Sequence, residues 1–142
     1  MEQFTPDHVQ GALDALGLGI RIRFFEESTA TSQMAADNIG CELGQIAKSI
    51  VFLVDEQPFV VITSGDQRVD DKKLAAAMNV NRKKVKIATA EQCIELTGYA
   101  PGGVPPLGYR STNLRILLDE SFRRYDQLYA AGGAHNAIFP VK

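Results

Sequence analysis

One lysine interrupts the most apolar stretch of the chain. Lys48 sits in Ile46-Ala47-Lys48-Ser49-Ile50-Val51-Phe52, and an ammonium group carried into a core strand is costly unless it reaches water or an anion. Two readings follow. The side chain snorkels from a strand end, or it lines a pocket as a cation for a phosphate, a carboxylate or a developing oxyanion. A second segment, Gly98-Tyr99-Ala100-Pro101-Gly102-Gly103-Val104-Pro105-Pro106-Leu107-Gly108, is too dense in Gly and Pro for any regular element. It reads as a surface loop stiffened by its prolines. It also reads as a binding loop whose glycines let backbone N–H groups approach a ligand oxygen while Pro105 and Pro106 fix the path. A third, Gly132-Gly133-Ala134-His135-Asn136, is a turn or a second pocket wall, with donor and acceptor atoms on Asn136 and an imidazole on His135. The run Arg82-Lys83-Lys84-Val85-Lys86 is a solvated junction, or a set of phosphate contacts if the ligand is a nucleic acid.

The usual covalent and metal machinery is missing. His8 and His135 are accompanied by no G-x-S-x-G elbow, H-E-x-x-H helix or C-x-x-C pair. No phosphate loop of the G-x-x-x-x-G-K-S type is present. Cys93 fits an apolar helix face and Cys41 follows a helix stop, the setting of inert rather than nucleophilic thiols. No metal-ligand spacing occurs, and neither a metal nor a cofactor is expected.

These residues need a scaffold, and 142 residues suit one domain spanning 1–142. A hydrophobic fraction of 45% supplies a core, which argues against disorder. Apolar runs such as Ile50 to Val54 are far short of the roughly 20 residues of a membrane span. No secretion signal opens the chain, and two cysteines build no disulfide framework, so a reducing cytoplasm is expected. A net charge of −2 argues against coating DNA.

Thr5-Pro6 reads as the cap and first position of a helix carrying Val9, Leu13 and Leu16. Ile20 to Phe25 alternates as a half-buried strand, and Ser32 caps a short helix closed by Gly40. Ile46–Val54 and Pro58–Thr63 form a hairpin around Asp55-Glu56-Gln57. A helix capped by Asp70 or Asp71, a strand at 85–88, a helical face from Ala90 to Thr97, and strands at 113–118, 127–131 and 137–141 complete the reading. Interspersed short helices and hairpins fit a mixed α+β sheet or barrel with helices outside better than a doubly wound sheet.

In their order these segments resemble the YbaK/prolyl-tRNA-synthetase-associated (INS-like) editing domain family. The resemblance rests on Gly44 through Phe52, Thr63-Ser64-Gly65-Asp66-Gln67-Arg68-Val69-Asp70, Ala90-Glu91, the Gly98–Gly108 loop and Gly132-Gly133 with Asn136. It implies a mixed, largely antiparallel, barrel-like sheet with short helices packed outside. It also implies hydrolysis of mischarged aminoacyl-tRNA, chiefly tRNA for proline bearing the wrong amino acid, by a free-standing protein. The family's active-site lysine falls on Lys48, and its G-x-x-x-P loop on Gly102-Gly103-Val104-Pro105-Pro106. The resemblance extends substrate contacts to Ser28, Thr31, Ser49, Gly65, His135 and Asn136. Acceptor-stem contacts fall to Arg68, Lys73, Arg82, Lys83 and Lys84, and prolyl-tRNA synthetase is the implied protein partner. The chain ends soon after Pro140, where many relatives continue.

Without a protein nucleophile, such a site must place a water against the ester and stabilise charge, with the neighbouring ribose hydroxyl assisting. The alternative is a module that binds aminoacyl-tRNA or nucleotides without cleaving them.

Overall fold

A computed structural model describes residues 2–141. Thr5 is extended and Pro6 starts helix α1 (Pro6–Ala15), whose Val9 and Leu13 are fully buried; each apolar side chain so buried contributes about 1.5–3 kcal/mol. Strand β1 is short (Arg23–Phe24). Helix α2 (Ser32–Ile39) begins where the Thr31 hydroxyl accepts the Met34 N–H, and ends at Gly40 with φ of 80°, a left-handed stop that only glycine adopts cheaply. The cap is thus Thr31, one residue before the expected Ser32.

Strands β2 (Ile46–Val54) and β3 (Gln57–Ser64) are joined by Asp55 and Glu56, both at positive φ, 50° and 68°, as a two-residue hairpin of the type I′ class requires. Helix α3 (Asp71–Ala77) is capped by the Asp70 carboxylate, which accepts the N–H groups of Lys72 and Lys73. Strand β4 (Val85–Ile87) leads to helix α4 (Ala90–Thr97), where Thr89 and Gln92 form a reciprocal capping box. Strands β5 (Arg115–Leu118), β6 (Leu128–Ala131) and β7 (Ala137–Val141) follow.

The seven strands form one sheet in the order β1-β7-β6-β2-β3-β5, with β4 added beside β2. Pairings β2–β3, β2–β4, β6–β7 and β1–β7 are antiparallel, while β2–β6 and β3–β5 are parallel. The mixed α+β expectation holds, but the barrel does not. The sheet is open, because β1 and β5 stand at its two ends and do not pair with each other. The strand expected over 20–25 is also shorter. Ile20 and Ile22 find their backbone partner in the Gln10 side chain, which donates to the Ile20 carbonyl and accepts the Ile22 N–H, so only Arg23 and Phe24 pair with β7.

Alternate residues of β2 face opposite sides. Ala47 and Val51 join Val9, Leu13, Cys93, Tyr99 and Val104 on one face. Ile46 packs with Ala35 and Ala36, and Phe52 with Leu74, on the other. No helix among the described residues is long and apolar enough to cross a membrane.

Candidate functional site

Strand β2 is paired along one edge throughout, but its other edge is shared by two short partners. Strand β6 reaches it only at Ile46 and Ala47, and β4 only from Phe52. Between them lies a cavity of about 290 Å³, lined by Lys48, Ser49, Ile50 and Val51 from the strand. Thr29 to Ser32 and Ala35 form one wall; Ala88, Cys93, Pro101, Gly102 and Val104 form the other.

Lys48 lies opposite Thr63 on β3 and is partly exposed, so its ammonium reaches the cavity without the full cost of burying a charge. By alternation it shares the face of Ile46 and Ile50, the α2 side of the sheet. Burial pulls its pKa below the usual lysine value, the nearby Arg68 guanidinium pulls the same way, and Asp66 opposes both. Asp66 is itself gripped by both terminal nitrogens of Arg124, at 2.8 and 2.9 Å, and this hydrogen-bonded pairing holds its carboxyl below the usual carboxylate range.

The Gly/Pro segment is a fixed wall. The Tyr99 hydroxyl donates to the Gly108 carbonyl at 2.8 Å, and the Tyr109 hydroxyl to the Pro105 carbonyl at 2.7 Å. Gly103 N–H donates to Ala100, and Gly133 N–H to Gly103. Tyr99 is wholly buried, and burial pushes its phenol up to about 12; Tyr109 is pushed up further by the same cause. Both therefore stay hydroxyl donors at any ordinary pH. Gly102 has φ of 91°, and a Cβ there would stand 3.1 Å from the Ala30 carbonyl. Glycine is needed at the point where this loop closes on the 29–32 segment.

Of the residues singled out from sequence, Lys48, Gly102, Thr31, Ser49 and Val104 line the cavity. Gly103, Pro105 and Pro106 belong to the same loop but do not line the cavity. Gly65 ends the hairpin, where a Cβ would meet Ser32 and Leu43. Ser28, His135 and Asn136 form a strut beside it. The His135 carbonyl accepts from Thr29 N–H and Oγ1, and Asn136 Nδ2 donates to the Phe25 carbonyl at 3.1 Å.

Arg68, Lys73, Arg82, Lys83 and Lys84 are all exposed, and Arg82 also pairs with Asp71 at 3.1 Å. Lys83 and Lys84, with Lys86, border a broad groove that shares Ile87 with the cavity.

Sequence reasoning named Tyr99 only as part of the Gly/Pro run and did not single out Tyr109, which follows it directly. It placed Cys93 in the core, and there it is; its Sγ donates to the Tyr99 carbonyl and burial raises its pKa. It nevertheless also touches the cavity, as a neutral thiol. No cluster of three metal-ligating side chains occurs among the described residues.

The chain matches the model of the aminoacyl-tRNA editing domain over residues 26–142. It is 32% identical over 118 residues to "Uncharacterized protein YwhH" of Bacillus subtilis, covering 82% of this chain and 73% of that one. To the "Putative Cys-tRNA(Pro)/Cys-tRNA(Cys) deacylase EbsC" of Enterococcus faecalis it is 29% identical over 110 residues, 77% of this chain and 65% of the relative. A crystal structure described as "a putative trans-editing enzyme for prolyl tRNA synthetase" superposes with a TM-score of 0.87 at 38% identity, over 96% of this chain and 85% of that chain. The family model spans most of the chain and the fold agrees with it, and the chain belongs to the aminoacyl-tRNA editing domain family.

Proposed function

We propose that the protein acts in trans as a deacylase, hydrolysing the ester of tRNA for proline that carries a small non-cognate amino acid. The observation that carries this reading is the convergence of Lys48 and Gly102 on one cavity of about 290 Å³. The names of the relatives support the ester and the tRNA.

The reaction uses water rather than a side-chain nucleophile, consistent with the neutral Cys93 thiol. The ribose hydroxyl beside the ester positions the water, and the protein contributes placement and charge stabilisation. Lys48 meets the terminal nucleotide or the charge that develops on the ester oxygen, and backbone groups around Gly102 hold the aminoacyl end. Alanine, serine and cysteine fit; proline is rejected by shape. One methylene discriminates by only about 1–3 kcal/mol, the reason a second sieve after charging is useful. Prolyl-tRNA synthetase, which would make the mischarged product, is the implied partner, and the cytoplasm the implied compartment. Arg68, Lys73, Arg82, Lys83 and Lys84 are the acceptor-stem contacts, so binding weakens with salt.

A panel of alanyl-, seryl-, threonyl- and cysteinyl-tRNA, wild type against Lys48→Ala, tests this. Loss of one preorganised contact raises the barrier by about 2–4 kcal/mol, a fall of roughly 30- to 1000-fold. Full activity in folded Lys48→Ala would remove the lysine from the mechanism. Tight binding of aminoacyl-tRNA with no turnover would replace a deacylase by a binding module.

A further inference from the structure

The gap in the β2 edge leaves particular backbone groups unpaired. In a two-residue hairpin the residues flanking the turn, here Val54 and Gln57, exchange both hydrogen bonds, and the exchange recurs at every second pair. Phe52, Ile50 and Lys48 therefore turn N–H and C=O toward β3, while Val51, Ser49 and Ala47 turn theirs to the opposite edge. Two observed bonds agree with this phase. The Ile46 carbonyl is taken by Gly65 on the β3 side, and the Val51 carbonyl by Ala88 on the other. Ala47 is met by β6. Ser49 N–H, Ser49 C=O and Val51 N–H have no ladder partner, and no side chain among the described residues bonds them. Ser49 and Val51 both line the cavity. Enclosed main-chain groups are nearly always paired, so a free donor–acceptor set on a cavity wall marks where a ligand or water completes the ladder.

We infer that Ser49 binds the aminoacyl group as one antiparallel strand residue binds another; this rests on the proposed deacylase function and names its recognition element. An aminoacyl ester carries an ammonium donor and a carbonyl acceptor on one α-carbon, in the relation of the N–H and C=O of an extended residue. Set opposite Ser49, the ammonium donates to the Ser49 carbonyl and the ester carbonyl accepts from Ser49 N–H.

As the water oxygen bonds to the ester carbon, negative charge grows on the oxygen that Ser49 N–H already holds, and that contact strengthens. The ester C–O bond then breaks. The ribose oxygen leaves as a hydroxyl with one water proton, and the other proton is released as the acid ionises to carboxylate. Directly opposed residues project their side chains to the same face. An L-aminoacyl group so paired points its side chain where Ser49 points its own, toward Ala88, Cys93 and Val104. The main chain reads the amino acid as an amino acid, and that wall reads its size.

The test leaves the protein unaltered. Hydrolysis of the fastest aminoacyl-tRNA is compared with its desamino counterpart, alanyl- against propionyl-tRNA for example. Each rate is divided by its own spontaneous rate, because the ammonium also activates the ester in water. The normalised kcat/KM is expected to fall at least about tenfold without the ammonium, as for one charge-assisted hydrogen bond; equal values overturn the inference and leave the deacylase standing. In parallel, amide hydrogen exchange is followed with saturating 3′-deoxy-3′-(alanylamino)adenosine, whose amide resists hydrolysis. Ser49 N–H is expected to slow at least about tenfold on gaining a partner, and Ile50, already bonded to β3, to stay unchanged. An unprotected Ser49 in the bound complex overturns the inference. Failure to hydrolyse any aminoacyl-tRNA overturns the proposed function, and the inference with it.

Discussion

The loop that walls the cavity depends on a single hydroxyl more than its length implies, and Tyr109→Phe isolates that hydroxyl. The Tyr109 hydroxyl donates to the Pro105 carbonyl at 2.7 Å, and Pro105 is fully buried. The substitution keeps the ring and its packing but strips a buried carbonyl of its donor. An unsatisfied buried acceptor costs about 1–3 kcal/mol; the phenol's own desolvation, which raises its pKa, offsets part of this. A net loss of about 1–2 kcal/mol is expected, or roughly 3–8 °C in Tm for a domain of this size. Freed at Pro105, the chain from Gly102 to Val104 loses its fixed distance from β2, and misplacement by about 1 Å costs up to 100-fold. A fall of about tenfold in kcat is expected, with KM for tRNA nearly unchanged because the exposed lysines are untouched. Calorimetry and single-turnover deacylation read the two effects. The companion Ser49→Ala separates loop support from general repacking. The Ser49 hydroxyl is buried with no hydrogen-bond partner of proper geometry, although it stands close enough to the Tyr109 phenol to counter part of the rise that burial causes. Removing it is expected to be neutral or stabilising by up to about 1 kcal/mol. Unchanged Tm and unchanged kcat in Tyr109→Phe would refute the claim that this bond holds the wall.

Three further outcomes follow from the charges and packing. Lys48, followed by NMR titration, is expected to lose its proton below the usual lysine value of 10.5, and the midpoint should rise in Arg68→Gln and fall in Asp66→Asn, since the first removes a repelling cation and the second an attracting anion. An unmoved midpoint in Arg68→Gln would remove that guanidinium from the site's field. The Asp66 pKa is depressed when folded, so its pairing with Arg124 stabilises above the ordinary carboxylate pKa and is lost as pH falls through the folded value. The Tm gap between wild type and Asp66→Asn should close below about pH 4; a gap that persists there would assign the effect to packing instead. In Gly65→Ala the added carbon would lie 2.6 Å from the Leu43 carbonyl and 2.8 Å from Ser32 Cβ, so backbone must move. A loss of about 1–3 kcal/mol is expected by thermal unfolding, and a Tm within a degree of wild type would show the hairpin end to be more compliant than it looks.

Local chemistry made some elements readable from sequence and left others hidden. Thr5-Pro6, the β2–β3 hairpin and the Lys48 interruption are written in adjacent residues, and they sit where the sequence placed them. Strand β1 is shorter than its pattern because alternation from Ile20 to Phe25 says nothing about Gln10, a side chain ten residues away that takes the place of a strand partner. The barrel-like expectation fails for a related reason, since closure depends on whether β1 and β5 meet, which no local pattern encodes. The Asn136 Nδ2 donates to the Phe25 carbonyl, a contact across 111 residues that no local pattern signals.

The same non-local origin explains why the site lies where it does. A strand of nine residues such as β2 would ordinarily be satisfied along both edges by strands of similar length. Here one edge is divided between a parallel partner that covers its start and an antiparallel partner that covers its end. Those two approach from opposite directions, and neither extends to close the gap. The interruption places strand edge, cation and loop together, because alternation sends Lys48 to one face while Gly102 and Val104 arrive from the other. Strands β4 and β6 long enough to meet along β2 would leave no such opening. The divided edge of β2 is therefore the condition for the cavity, and an insertion lengthening β6 by two paired residues should fill the gap, abolishing deacylation while raising stability. Retained activity in such a variant would mean that catalysis does not use the β2 edge.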